Sequence, residues 1–367
     1  MNAADAAHMC EALSLAERGV YSTTPNPSVG CVLVKGGRVI GRGYTAPVGG
    51  PHAEAVALAD ARGAGEDPEG ATVYVTLEPC AHFGRTPPCA DALVEARVAH
   101  VFAALQDPDA RVAGQGFARL RAAGISSDVG LCEGSARALL AGYIKRQERG
   151  RPLVRIKLAM SLDGRTAMAS GESQWITGQT ARRDVQHWRA RSCAIVTGAG
   201  TVLTDDPLLT VRDVPNASPP YRQPLRVVID RRARVPMTAK IMASADTTGP
   251  VLWLAAGARL RELPERVEWL DTNLRSGTLP GLLDELGRRG CNEVLIEAGA
   301  GLAGAFVEQG LWDELLVYIA PKLLGNQGRP LLVLPIERMR DARGLELIDQ
   351  QRFGDDLRLR FRQTAAQ

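Results

Sequence analysis

At 367 residues the chain is too long for one typical domain, and its 45% hydrophobic content supplies cores for two. Forty-four basic against 41 acidic residues leave a net charge of +3, too small a field to imply a nucleic-acid or membrane partner. Seven cysteines, odd in number and scattered, argue against a disulfide framework and for a reducing compartment, where close cysteine pairs bind metal.

The opening stretch "MNAADAAHMCEALSLAERG" has the helical spacing of Met9, Leu13 and Ala16, predicting a helix over 4–18 closed by Gly19 as C-cap. It lacks the basic start and apolar run of a signal peptide, and no window reaches the roughly 18 apolar residues of a membrane span, so a cytoplasmic protein is expected. "VGCVLV", a Gly36-Gly37 turn and "RVIGRGYT" predict a β-hairpin. A helix from about His52 to Arg62, the strand "ATVYVTL", a helix after Cys89, the strand "HVFAAL" and helices beginning near Gln115 and Ser135 follow. This alternation predicts a mixed sheet covered by helices.

The charged segment "YIKRQERGRP" (143–152) ends one helical pattern and precedes the fresh strand "LVRIKLAM". It predicts a boundary that divides the chain into domains 1–148 and 149–367. Alternation then resumes with a helix near 179–190, "SCAIVTG", "LRVVID", "PVLWLA", a helix near 280–289, "NEVLIEAG", a helix near 302–309 and "ELLVYIA". "VPNASPPYRQP" (214–224) reads as an exposed loop, and "LELIDQQRFGDDLRLRFRQ" as a closing antiparallel hairpin.

Chemistry concentrates in two fragments of the first domain, "PHAE" (51–54) and "EPCAHFGRTPPC" (78–89). In mid-helix, residues two apart point to nearly opposite faces. Gly49-Gly50-Pro51 instead sets His52 and Glu54 at a helix start. "LEPC" ends a strand, and Pro87-Pro88 stop any helix before Cys89, which opens another N-terminus. His52, Cys80 and Cys89 can thus hold one zinc with its fourth position left for water, and Glu54 is the unligated carboxylate that shuttles protons. His82 is a less favoured fourth ligand. A lone His-x-Glu usually means nothing, but here it precedes two close cysteines in the deaminase order. Cys10, Cys31, Cys132, Cys193 and Cys291 are expected in cores.

Most cytidine-type deaminases use Cys-x-x-Cys. "TPNPSVGCVLV" (24–34), "HAEAVAL" (52–58) and "TLEPCAHFGRTPPC" (76–89), with their longer spacing, resemble the deaminase half of the bifunctional riboflavin-biosynthesis deaminase–reductases. That resemblance implies a cytidine-deaminase-like α/β/α sandwich acting on a diaminopyrimidine with a ribosylamino 5-phosphate, and puts Asn26 against the base. "KLAMSLDGRTAMASGESQWITG" (157–178), "TGAGTVLTDDPLLTVR" (197–212) and "EAGAGLAGAF" (297–306) resemble the reductase half of the same family. They imply a dihydrofolate-reductase-like α/β domain that opens the ribose to a ribityl chain with hydride from NADPH. Carried over by motif, Ala159, Trp175, Thr201, Asp205, Gly299, Ala300, Gly301, Leu302, Ala303, Gly304 and Ala305 fall at cofactor positions. Ser173, Arg189, Leu209, Arg212 and Glu297 fall at substrate positions. A homo-oligomer is expected.

Physically, "GAGLAG" (299–304) is a G-x-G-x-x-G between strand and helix, able to present backbone N–H groups to a phosphate, or merely a tight turn of small residues. Arg189 and Arg212 suit a phosphate clamp, though a surface ion pair is the commoner fate of an arginine. Lys157, Asp205 and Glu297 all qualify as proton donor for the reduction. Two other readings compete: a deaminase of free or RNA bases fused to a binding module, and a binding protein with structural zinc. The near-neutral charge opposes RNA, and Glu54 opposes a structural zinc.

Overall fold

The computed structural model describes residues 2–83, 87–214, 217, 221–257, 262–273 and 277–364. The chain divides into two compact units, Met1–Gly150 and Arg151–Gln367. Helix α5, defined below, stops at the division because Gly150 takes a left-handed C-cap conformation (φ 69°).

Unit one runs α1 (Ala3–Gly19), β1 (Gly30–Lys35), β2 (Arg38–Tyr44), α2 (Ala53–Gly63), β3 (Thr72–Val75), α3 (Cys89–Glu95), β4 (His100–Ala103), α4 (Gln115–Ala122), β5 (Ser126–Val129) and α5 (Glu133–Arg149). Its sheet has the order β2-β1-β3-β4-β5. Strand β1 pairs antiparallel with β2 and β3, and the remaining pairs are parallel. Helix α1 is set by a capping box between Asn2 and Asp5. It ends through the right-handed Val20, so Gly19 does not form the expected left-handed cap.

Helix α2 lies on bare backbone. A Cβ at Gly41 would sit 2.3 Å from the Ala57 carbonyl oxygen, and one at Gly43 would sit 2.2 Å from that of Ala53. Gly41 and Gly43 pair with Leu33 and Cys31, so those residues share the α2 face. Gly30, one residue before Cys31, faces the other way, where a Cβ would strike the Ala12 carbonyl of α1 at 1.8 Å. The sheet is therefore covered on both faces, an α/β/α sandwich. Cys31 is buried as expected, but Cys10 is exposed on α1 and Cys132 is half-buried at the N-cap of α5.

Unit two runs β6 (Leu153–Ser161), β7 (Arg165–Ala167), α6 (Gln179–Arg191), β8 (Ala194–Gly198), α7 (Ala199–Asp205), β9 (Leu225–Asp230), α8 (Lys240–Ala243), α9 (Ala245–Thr248), β10 (Val251–Ala255), β11 (Val267–Leu270), α10 (Thr278–Arg288), β12 (Glu293–Ile296), α11 (Ala300–Glu308), β13 (Glu314–Ala320), β14 (Arg329–Pro330), β15 (Leu345–Phe353) and β16 (Asp356–Gln363). Nine strands form one sheet in the order β11-β10-β9-β8-β12-β6-β13-β16-β15. Strands β6, β8, β9, β10, β11, β12 and β13 are parallel, and the β15–β16 hairpin closes the edge antiparallel. Strands β7 and β14 pair separately. The short helices α7, α8 and α9 escape the sequence reading because each is too brief to show a helical period.

Helix α6 docks through ions as well as apolar contacts. Arg191 forks onto Glu293 at 2.7 and 2.8 Å, and Arg155 bridges Glu293 and Glu314. Tyr318 and Arg358 both donate to Asp184, at 2.5 and 2.7 Å. The described residues of the proline-rich piece at 214–224 are buried or half-buried, contrary to the exposed loop expected there. The Gln223 amide bonds the Val211 backbone in both directions and draws the loop inward. No helix among the described residues is long and apolar enough to cross a membrane.

Candidate functional site

In unit one, His52 is the N-cap of α2, in extended conformation, which frees its ring from the helix face. Its Nδ1 lies 3.5 Å from Cys80 Sγ and 3.4 Å from Cys89 Sγ. Cys89 is the first residue of α3, and its backbone N–H donates to Cys80 Sγ at 3.3 Å. Cys80 itself lies in the loop between β3 and α3, so the thiolate is reached by a helix N-terminus belonging to its neighbour. The three donor atoms all lie within 4.8 Å of one another. One imidazole nitrogen and two sulfurs converging this closely are a donor set that fits zinc.

Electrostatics favours the same use. The Cys89 thiol donates toward Cys80 and His52 faces it, holding the Cys80 thiol down at about 4. Hydrogen bonding to Cys80 and burial push the Cys89 thiol up. The hydrogen bond with Cys80 also raises the His52 imidazole. Glu54, in the first turn of α2, is 3% exposed, and burial followed by the Cys80 charge pushes its carboxyl up to about 7. Such a group can both accept and return a proton near neutral pH.

His82 does not join the His52–Cys80–Cys89 cluster. Its buried Nδ1 has no hydrogen-bond partner among the described residues. Asn26 sits half-buried in the loop leading into β1, its backbone N–H turned back to the Thr23 carbonyl. The sequence reading missed Glu78, a buried carboxylate within the Glu-Pro-Cys run. A charged side chain at the end of an apolar strand was the signal available.

In unit two a cavity of about 920 Å³ opens outside the carboxyl ends of β6, β8 and β12. Lys157 and Ala159 enter it from β6, Ser173 and Trp175 from the loop before α6, and Thr201 and Asp205 from α7. Leu209, Arg212 and Glu297 complete the wall with Arg189, Gly299, Ala300, Gly301 and Leu302. Gly299 caps α11 in extended conformation, so first-turn N–H groups of that helix lie at the cavity without intrahelical partners. The volume, this N-terminus and the basic residues Arg182, Lys240 and Arg329 on the wall fit a dinucleotide carrying phosphates.

Ala303, Gly304 and Ala305 do not line the cavity. Ala303 is fully buried, Ala305 packs against the core, and a Cβ at Gly304 would lie 2.1 Å from the Val333 carbonyl oxygen. These three serve close packing, because a helix turns them away from the end that meets a ligand. Arg189 is also committed within the protein. It forks onto Glu297 at 2.6 and 2.9 Å and donates to the Thr210 carbonyl at 3.2 Å, so each of its three nitrogens already has a protein partner and only the second N–H of each terminal nitrogen remains. Arg212 is exposed at the cavity. Burial lowers the Lys157 ammonium below its usual range despite the facing Glu297. Asp205, raised by burial, hydrogen-bonds Ser173.

Residues 2–105 match the cytidine and deoxycytidylate deaminase zinc-binding region, and residues 152–359 match the RibD C-terminal domain. The riboflavin biosynthesis protein RibD of Haemophilus influenzae is 48% identical, covering 97% of each chain. Its Escherichia coli counterpart is 48% identical over 96% of this chain and 98% of its own. The solved structure of Acinetobacter baumannii RibD, form 1, superposes with a TM-score of 0.92 at 47% identity, covering 99% of both chains. A diaminohydroxyphosphoribosylaminopyrimidine deaminase/5-amino-6-(5-phosphoribosylamino)uracil reductase from Thermotoga maritima gives 0.88 at 31% identity, over 98% and 99%. Both halves match in one order over nearly the whole length, so the chain belongs to the bifunctional RibD family of riboflavin biosynthesis, with a zinc-binding deaminase domain and a reductase domain.

Proposed function

We propose that unit one hydrolyses the amino group of 2,5-diamino-6-(5-phosphoribosylamino)pyrimidin-4-one. Unit two then reduces the resulting 5-amino-6-(5-phosphoribosylamino)uracil at the ribose. In the first reaction water replaces ammonia on a ring carbon: a C–O bond forms, the C–N bond breaks, and no electrons are exchanged. His52, Cys80 and Cys89 would hold zinc, whose Lewis acidity makes hydroxide available near neutral pH. Glu54 takes the proton released by water and returns it to the departing nitrogen, a role supported by its burial and a carboxyl poised at about 7. Asn26 orients the base.

In the second reaction NADPH supplies hydride to the sugar carbon that bears the amino nitrogen, and the ring oxygen leaves with a proton as the ribityl hydroxyl. The N-terminus of α11 and the neighbouring Thr201 and Trp175 hold the cofactor. Arg212 meets the substrate phosphate. We assign the proton to Lys157, whose ammonium is the one candidate both lowered by burial and free to give up a proton. Glu297 is held ionised by burial's opponent, the Arg189 fork, and Asp205 is tied to Ser173. Self-association in the cytoplasm completes the reading, supported by exposed Leu345, Leu347 and Leu357 on the edge hairpin.

The convergence of His52, Cys80 and Cys89 beside Glu54 carries this reading. Incubating protein with the diaminopyrimidine and NADPH should release ammonia first and oxidise NADPH afterwards. NADPH oxidation without prior ammonia release would overturn the order, and absence of both would overturn the reading.

A further inference from the structure

Helix α4 has no cap of its own. Its N-cap is Gly114, its first turn holds no acidic residue, and no side chain of the helix's own entry bonds its free N–H groups. That function comes from Glu78, 37 positions before the helix begins by number. Glu78 is 3% exposed, and its Oε1 accepts from Gly116 N–H at 2.9 Å and Phe117 N–H at 3.3 Å. Its Oε2 accepts from Gly114 N–H at 2.9 Å and Asp107 N–H at 3.2 Å. Four backbone donors thus converge on one carboxylate. The chain continues through Pro79, whose carbonyl is so close to Gly116 that a Cβ there would lie 2.0 Å away, straight to Cys80.

The other thiolate is tied to the same helix. Cys89 begins α3, and both carboxylate oxygens of Asp91, two residues later, accept from Arg119 of α4 at 2.8 Å each. So α4 grips both arms of the loop that brings the two sulfurs together. We propose that Glu78 is a positioning residue of the metal centre: it locks α4 onto the Glu-Pro-Cys turn, and α4 in turn sets the Cys80–Cys89 separation. The inference rests on zinc being held by His52, Cys80 and Cys89. Partners that orient metal ligands without touching the ion typically contribute 10- to 100-fold in affinity.

Zinc affinity of the full chain, measured by competition with a chromogenic chelator, tests this. Glu78→Gln removes the charge and turns half the acceptor into a donor facing N–H groups, and should weaken zinc binding by about 10- to 100-fold. Arg119→Met breaks only the half-exposed link to α3 and should weaken it by a few-fold, with an unchanged melting profile. Parental zinc affinity in both variants would overturn the inference, and Arg119→Met decides alone if Glu78→Gln does not fold. Cys89→Ser run beside them separates the two failures. If it too keeps parental affinity, the metal reading itself is wrong; if it loses zinc while the others keep it, only the brace is wrong.

Discussion

The two sites are built on opposite plans. In unit one, three ligand atoms within 4.8 Å and a buried carboxylate come from the starts of two helices and one turn, all within residues 52–89. In unit two, a 920 Å³ cavity gathers residues from 157 to 333, and its central ion pair joins Arg189 to Glu297 across 108 positions. A small reacting atom needs few groups held tightly, whereas a dinucleotide and a sugar phosphate need a long wall. The first plan concentrates function in single residues; the second spreads it.

Single substitutions should therefore act unequally. Cys89→Ser should remove zinc and abolish ammonia release, while NADPH oxidation on the deaminated uracil persists; metal analysis with both assays checks this. Glu54→Gln should slow ammonia release by about 100- to 10,000-fold with zinc retained. Loss of zinc instead would make Glu54 a ligand. Arg189→Gln strips the buried Glu297 of its fork and leaves Lys157 facing it, which should destabilise unit two by about 3 kcal/mol, read by denaturant unfolding. Arg212→Gln should raise the KM for the uracil substrate about tenfold and leave melting unchanged, since the side chain is exposed.

Acid sharpens the contrast with the smallest effect. Burial alone would raise Glu293, but Arg155 and Arg191 pull it down to about 2 from its ordinary 4.5. A depressed carboxyl stabilises the fold above the unfolded value, so its contribution, at most about 3 kcal/mol, is lost as pH falls from about 4.5 towards 2. Asp107 of unit one is raised by burial to about 6, so its folded form binds a proton more tightly than the unfolded form. Unit one should then gain stability as pH falls through 6. Hydrogen exchange resolved by peptide should show β6 and β12 opening below about pH 4.5, while segments around Asp107 tighten between about pH 6 and 4.

What the sequence disclosed follows the same divide. His52, Glu54 and Cys89 could be read because each owes its direction to a local event, a helix start fixed by Gly49-Gly50-Pro51 or by Pro87-Pro88. The hairpins and the resumption of strands after Gly150 were legible for the same reason. Glu78 was missed because its four partners lie 29 to 39 positions away and leave no periodic trace. The ion pair of Arg189 is not legible in sequence, because an arginine's spacing cannot reveal a partner carboxylate 108 positions away, just past β12. Ala303 to Ala305 were carried along with the glycine-rich motif, although helix geometry allows only its first turn to face a ligand.

The contact of α2 with Gly41 and Gly43 has a consequence for how this protein can vary. Where main chain touches main chain, the spacing between layers is a fixed length, independent of which side chains fill the rest of the core. Exchanges among Leu, Val and Ile elsewhere in unit one can accumulate without shifting the start of α2, and with it His52 and Glu54. Any side chain at either glycine would move helix and site together. The hairpin thus serves the Glu54 carboxylate as a gauge block, holding one dimension constant while the surrounding interior drifts.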